Sequence, residues 1–113
     1  MFKLIALLIY MLLSHCTYCE AKETGIASWY GKENKISSTG KKLNRSLPAA
    51  AHKTLPIGSL VRVTSHRTKK SVIVLIEDRG PFHKQRIIDL NFCAARQLGM
   101  LESGTAKVTV EKI

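Results

Sequence analysis

The stretch SLVRVTSHRTKKSVIVLIEDRGPF, residues 59–82, decides the architecture. Leu60, Val61, Val63 and Thr64 form a β-rich run in which Arg62 points to the other face, the alternation of a half-buried strand. His66 to Lys70 makes a basic hairpin tip, and Ser71 to Glu77 returns as the second strand. That strand ends oddly. A chain turning a corner needs Gly80 and Pro81. It does not need Glu77 and Asp78 set against Arg79, so Asp78 is a candidate for chemistry rather than for the turn.

Working outward, other short strands flank this hairpin. Gly25 to Tyr30 alternates small and large residues and reads as a first strand. Residues 32–46 are polar, with Gly40 and Asn44 as turn formers, and read as a long loop of the kind that often carries function. Leu47 to His52 is a strand of small residues, ended by the Leu-Pro-x-Gly turn at 55–58. Arg86 to Leu90 is another short strand. Asn91 can cap a helix from Phe92 to Leu98, which Gly99 would stop. Thr105 to Ile113 alternates Val108 and Val110 with polar neighbours and closes the chain as a strand. Six short strands with one short helix favour a small closed barrel over a sandwich, because closure removes exposed edges.

The chain has 113 residues, enough for one domain. Met1, Phe2 and Lys3 precede ten apolar residues, Leu4 to Leu13, too few to span a bilayer but suited to a secretory signal. Cleavage after Ala21 fits the small residues at 19 and 21, so the expected organisation is a signal peptide over 1–21 and a domain over 22–113. The rival reading is a lipoprotein signal acylated at Cys16, which would tether the protein to a membrane; His15 stands where a small residue is expected. Removing residues 1–21 takes Lys3 and Glu20 together, so the net charge stays at +10. A basic exported protein favours anionic partners, the cell wall first. Its Lys and Arg are scattered, with few aromatics between them, which argues against nucleic acid. Only Cys93 would remain, so no intrachain disulfide is expected, and Cys93 reads as a small apolar residue on a buried helix face. His15, His52, His66 and His83 have no ligand-like spacing, so neither metal nor other cofactor is expected; His66 and His83 read as solvated loop residues.

Four segments in order, GIASWYG (25–31), AAAHKTLPIGSLVRVT (49–64), IEDRGPF (76–82) and RIIDLNFCAARQLGM (86–100), resemble the rare lipoprotein A (RlpA-like) domain. The resemblance covers residues 25 to 112. It implies an all-β fold, a six-stranded double-psi β-barrel with one short helix, and the activity of an exported lytic transglycosylase acting on peptidoglycan, expected here as a monomer. It places Asp78 and His52 together in a sugar groove as the catalytic pair. Trp29, Asn44, Lys41 and Arg79 become candidate substrate contacts. From the residues alone, Trp29 reads equally as core filler, Tyr30 rather as core, and His52 as a residue satisfying a backbone carbonyl.

Such chemistry explains why one acid can suffice. Ordinary glycoside hydrolysis uses two carboxylates. In a lytic transglycosylase the sugar's own 6-hydroxyl closes onto the anomeric carbon, so a single carboxyl can give a proton to the leaving oxygen and take one from that hydroxyl. The acid must hold its proton, through burial or a neighbouring negative charge. Strand alternation turns Glu77 away from Asp78 and so withholds that neighbour. Asp89 reads as structural, pairing with Arg86 or capping the helix near Phe92.

One departure favours a second reading. Relatives commonly carry an acidic residue after the loop glycine and an Asp three residues further on. Here Lys41 and Asn44 occupy those positions, and neither can act as a carboxylic acid. A non-catalytic, expansin-like peptidoglycan-binding module is the alternative.

Overall fold

The computed structural model describes residues 3, 5, 22–30 and 47–113. Lys41, Asn44, Cys16 and most of the N-terminal apolar run lie outside the described residues. The elements are β1 (Lys22–Trp29), β2 (Ala49–His52), β3 (Leu60–Ser65), β4 (Ser71–Asp78), β5 (Arg86–Leu90), α1 (Phe92–Leu98) and β6 (Thr105–Lys112). The strands close into a barrel in the order β1-β5-β2-β4-β3-β6, with β6 pairing back onto β1.

The β3–β4 hairpin forms as its alternation requires. Val61 and Val63 pair with Val74 and Val72, and all four face the interior with Ile76. Arg62, Ile73 and Leu75 stand outside. Ile88 and Leu90 from β5 and Val108 and Val110 from β6 join this core, as do Ala94, Leu98 and Met100, with the helix packed against β2, β4 and β5. Each such aliphatic side chain contributes about 1.5–3 kcal/mol when fully buried, so alternating residues of four strands, β3 to β6, carry most of the core.

The helix begins and ends as its sequence specifies. Asn91 Oδ1 accepts from the Ala94 N–H at 3.0 Å, and Gly99 takes the left-handed conformation (φ 72°) that ends the helix. Asn91 also ties the helix to β2: its backbone N–H donates to the Ala49 carbonyl and its amide to the Leu47 carbonyl. Cys93 is buried in the helix, with its sulfur accepting from Gln97.

Two strand starts differ from the sequence reading. β1 starts at Lys22 rather than Gly25, because Lys22, Glu23 and Thr24 pair with Glu111, Val110 and Thr109 of β6. Those residues are exposed and polar, so they carry no hydrophobic period. β2 starts at Ala49 rather than Leu47, since Pro48 lacks the N–H of a ladder residue and Leu47 stays exposed.

Four of the six strand pairings are antiparallel; β1–β5 and β2–β4 are parallel. Each parallel pair contains a register shift. Ile26 pairs with Arg86 and Ala27 with Ile88, so Ile87 is the extra residue in β5. Ala50 pairs with Ile76 and Ala51 with Asp78, so Glu77 is the extra residue in β4. An extra residue bends the strand and re-aims the side chains beside it. That local geometry builds the site.

Candidate active site

Beyond its bulge, β4 presents Asp78 in register with Ala51 of β2, which is itself in register with Asp89 of β5; Asp89 in turn pairs with Ser28 of β1. Four neighbouring strands thus deliver Asp78, Ala51, Asp89 and Ser28 at one level of the barrel. Among the described residues, Ala51 is the register partner that lies between the two aspartates. The result is a groove of about 450 Å³ whose floor is Ala51 and whose walls include Trp29, Tyr30, Asp78, Arg79, Phe82 and Asp89. The small side chain of Ala51 therefore leaves room for the groove.

Each wall residue is held by a specific contact. Trp29 packs against the core and meets Phe92 edge-on, with ring centroids 5.9 Å apart and planes inclined by 63°. It packs on the core and also lines the groove. The Tyr30 backbone N–H donates to the Leu90 carbonyl at 2.8 Å, which fixes the ring at the end of β1. Its hydroxyl donates to Glu77 Oε1 at 3.4 Å, so Tyr30 lines the groove instead of filling the core. Asp89 accepts from the Ser28 hydroxyl at 2.9 Å. Helix capping falls to Asn91, not Asp89. Asp78 Oδ1 accepts from the Arg79 backbone N–H at 2.8 Å, and Gly80 follows at φ 129°, a conformation that favours glycine.

The bulge overturns the expectation that Glu77 turns away from Asp78. Glu77 and Asp78 are both half-buried, and both carboxyl groups act on the Tyr30 hydroxyl. Burial raises that hydroxyl above the ordinary phenol range, and the charges of Glu77, Asp89 and Asp78 push the same way. Tyr30 is accordingly a hydrogen-bond donor across the neutral range. Burial also pushes Glu77 above the usual carboxylate range; the Tyr30 hydrogen bond opposes this and the Asp78 charge adds to it. Strand alternation could not reveal this cluster, because the bulge interrupts it.

His52 departs from its expected place. As the neighbour of Ala51 on β2 it points to the other side of the strand and is only 3% exposed. It lines a separate recess with Glu23, Thr54 and Leu55, not the groove that holds Asp78. Its Nδ1 accepts from the backbone N–H groups of Thr54 (3.1 Å) and Leu55 (3.0 Å), which puts the ring hydrogen on Nε2, 3.4 Å from Glu23 Oε1. His52 therefore satisfies backbone donors rather than a carbonyl. Arg79 reaches the same turn from the groove side: its Nη1 donates to the carbonyls of His52 (3.1 Å) and Leu55 (2.6 Å). The two residues clamp residues 52–55 between them. His66 also differs from its solvated reading, with Nε2 2.6 Å from Thr109 Oγ1, whereas His83 is exposed at the groove.

A further recess lies at the C-terminal end of α1, where Arg67 and Arg96 face Glu102. Arg67 there donates to the Gly99 carbonyl, and the recess holds one carboxyl group against the groove's aspartate pair. The groove is the better candidate for proton transfer.

Residues 22–110 match the family model described as lytic transglycolase. Several curated proteins named endolytic peptidoglycan transglycosylase RlpA are similar to this chain. The protein of Neisseria meningitidis serogroup B is 50% identical over 96 residues, covering 83% of this chain and 40% of its own length. That of Vibrio cholerae is 48% identical over 93 residues (80% and 35%), and that of Pseudomonas aeruginosa strain PAO1 50% over 91 residues (79% and 27%). The chain thus spans less than half the length of these relatives. Among solved structures, the Streptomyces papain inhibitor superposes with a TM-score of 0.66 at 22% identity, over 80% of this chain and 93% of that one. A Clavibacter michiganensis expansin variant crystallised with cellohexaose superposes with a TM-score of 0.66 at 19% identity, over 82% of this chain and 50% of that one. The barrel order, its two parallel pairs and the matched residues agree: this chain is a six-stranded double-psi β-barrel and belongs to the lytic transglycolase family, in its RlpA-like branch.

Proposed function

We propose that this protein is an exported lytic transglycosylase that cleaves peptidoglycan glycan strands and leaves 1,6-anhydromuramyl ends. The observation that carries this reading is the placement of Asp78 on the floor level of an open groove, beside Tyr30 and opposite Asp89. The relatives' name supports the substrate.

In this mechanism the Asp78 carboxyl donates its proton to the glycosidic oxygen as the bond from the anomeric carbon to that oxygen breaks. The 6-hydroxyl of the same muramyl sugar then attacks the anomeric carbon, and its proton returns to the Asp78 carboxylate. No water is consumed, and the acid is restored. Trp29 offers an apolar face for a sugar ring, and the Tyr30 hydroxyl keeps a donor directed at the acidic cluster. Ser28 holds Asp89 as a second, hydrogen-bonded carboxyl that can accept from sugar hydroxyls. Arg79 supports the groove wall through the 52–55 turn, and His52 supports that turn from behind.

Lys41 and Asn44 favour the second reading, a module that binds wall glycan without cleaving it. In the enzyme they would act as contacts, Lys41 to a wall carboxylate and Asn44 to a hydroxyl or acetamido group. Residues 1–21 would direct export to the cell envelope, with acylation at Cys16 as the alternative processing, and the protein would act as a monomer. The test is incubation of the purified protein with intact and peptide-stripped sacculi, followed by mass spectrometry. New 1,6-anhydromuramyl ends support the enzyme. Binding without such ends leaves the module.

A further inference from the structure

Phe82 stands out among the described residues. Its side chain is 93% exposed, more than any other large apolar residue of the barrel. A lone exposed apolar residue is ordinary on a protein surface, so exposure by itself says little. Its position says more. The two residues before it, Gly80 and Pro81, are buried, so the backbone that carries the ring is fixed in the groove wall. The ring edge passes over Gly80: a Cβ built there would stand 3.8 Å from Phe82 Cε2 and 3.9 Å from the Ala51 methyl. The aromatic face is therefore presented at the mouth of the groove, near the Ala51 floor and in the wall that also holds Asp78.

The surroundings restrict what that face can take. Its chain neighbours His83 and Lys84 are exposed, and Arg86 lines the same groove. A ligand here must offer one flat apolar patch to the ring while carrying polar or anionic substituents at its edge. A pyranose does this: its axial C–H bonds form an apolar face, and its hydroxyl, amide and acid groups lie around the rim. An apolar protein partner would instead meet this cationic fringe.

We infer that Phe82 is the aromatic platform of a sugar subsite, stacking on an N-acetylated pyranose next to the one cleaved at Asp78. The inference rests on the glycan reading of the groove proposed above and adds a subsite to it. The rim cations Arg86 and Lys84 face the substituents of that sugar. Phe82 acts on binding; it takes no part in proton transfer.

The experiment compares the full-length wild-type protein with Phe82→Ala and Phe82→Trp, using an N-acetylglucosamine tetramer in calorimetry and peptide-stripped sacculi in turnover. The ring is exposed, so both variants should keep the wild-type melting temperature. Phe82→Ala should weaken tetramer binding and raise KM by about tenfold, with a much smaller effect on kcat, and Phe82→Trp should restore both. Unchanged binding in Phe82→Ala overturns the subsite, even if anhydro ends are formed. Equal loss in Phe82→Trp overturns stacking as its basis. Tetramer binding that depends on Phe82 without any anhydro product would preserve the subsite and remove the transglycosylase reading.

Discussion

Asp78 and Asp89 are both register partners of Ala51, one on each neighbouring strand. With strands spaced roughly 4.8 Å apart, their Cα atoms stand roughly 10 Å from each other, with Ala51 between them. The two acids are differently held: Asp89 accepts from the Ser28 hydroxyl, whereas Asp78 accepts from the backbone N–H at the start of the Arg79–Gly80 turn. Asp78→Asn is expected to lower anhydromuramyl formation by about 10²–10⁴-fold, the range for losing a general acid. Asp89→Asn keeps a hydrogen-bonding group beside Ser28 and is expected to cost much less. Quantifying anhydro ends from stripped sacculi separates the two, and equal losses would mean that proton transfer is not confined to Asp78.

Ala51 should be intolerant of size for a reason unrelated to the core. It is buried in the strand, yet its methyl group forms the groove floor. Ala51→Leu is expected to fill the space between Asp78 and Asp89 and abolish glycan binding, while overpacking costs the fold about 1–3 kcal/mol. Pull-down on sacculi with a parallel thermal melt checks this; retained binding would place the substrate elsewhere.

The residues that follow a period were legible, and those at interruptions were not. The alternation of Val61, Val63, Val72, Val74 and Ile76 announced the hairpin, and Asn91 and Gly99 marked both ends of α1. Asp78 was legible because a turn has no use for it. Glu77 was misread because alternation assumes an unbroken ladder, and the extra residue in β4 has no local signature in Leu-Ile-Glu-Asp. His52 was misplaced for the opposite reason: here alternation holds, and it sends His52 away from the face that Ala51 and Asp78 share. Tyr30 and Asp89 required knowledge of which strands become neighbours, information that resides in the closed barrel order.

Glu77 should leave a mark on the pH dependence of stability. Its pKa lies above the ordinary 4.5, chiefly because of burial. A carboxyl raised on folding binds more protons in the native state, so its contribution to stability is present below pH 4.5 and lost as pH rises through the folded value. Glu77→Gln removes that loss. Its melting temperature relative to wild type should therefore climb as pH increases above 4.5 and then level off. A pH-independent difference in melting temperature would show that the Glu77 carboxyl is not raised on folding.

His52 should behave as a structural residue despite standing next to the groove floor in sequence. Its Nδ1 is occupied by the N–H groups of Thr54 and Leu55, and the carbonyls of the same turn are held by Arg79. His52→Ala leaves both donors without their acceptor and is expected to destabilise the protein by about 2–4 kcal/mol. Below its lowered melting point the variant should still form anhydro ends, with a pH profile of the wild-type shape, since Asp78 lies on the other side of β2. Chemical denaturation supplies the stability, and turnover of stripped sacculi from pH 4 to 9 supplies the profile. Undiminished stability combined with lost turnover would return His52 to the chemistry, and would require residues 52–55 to swing toward Asp78 when glycan binds.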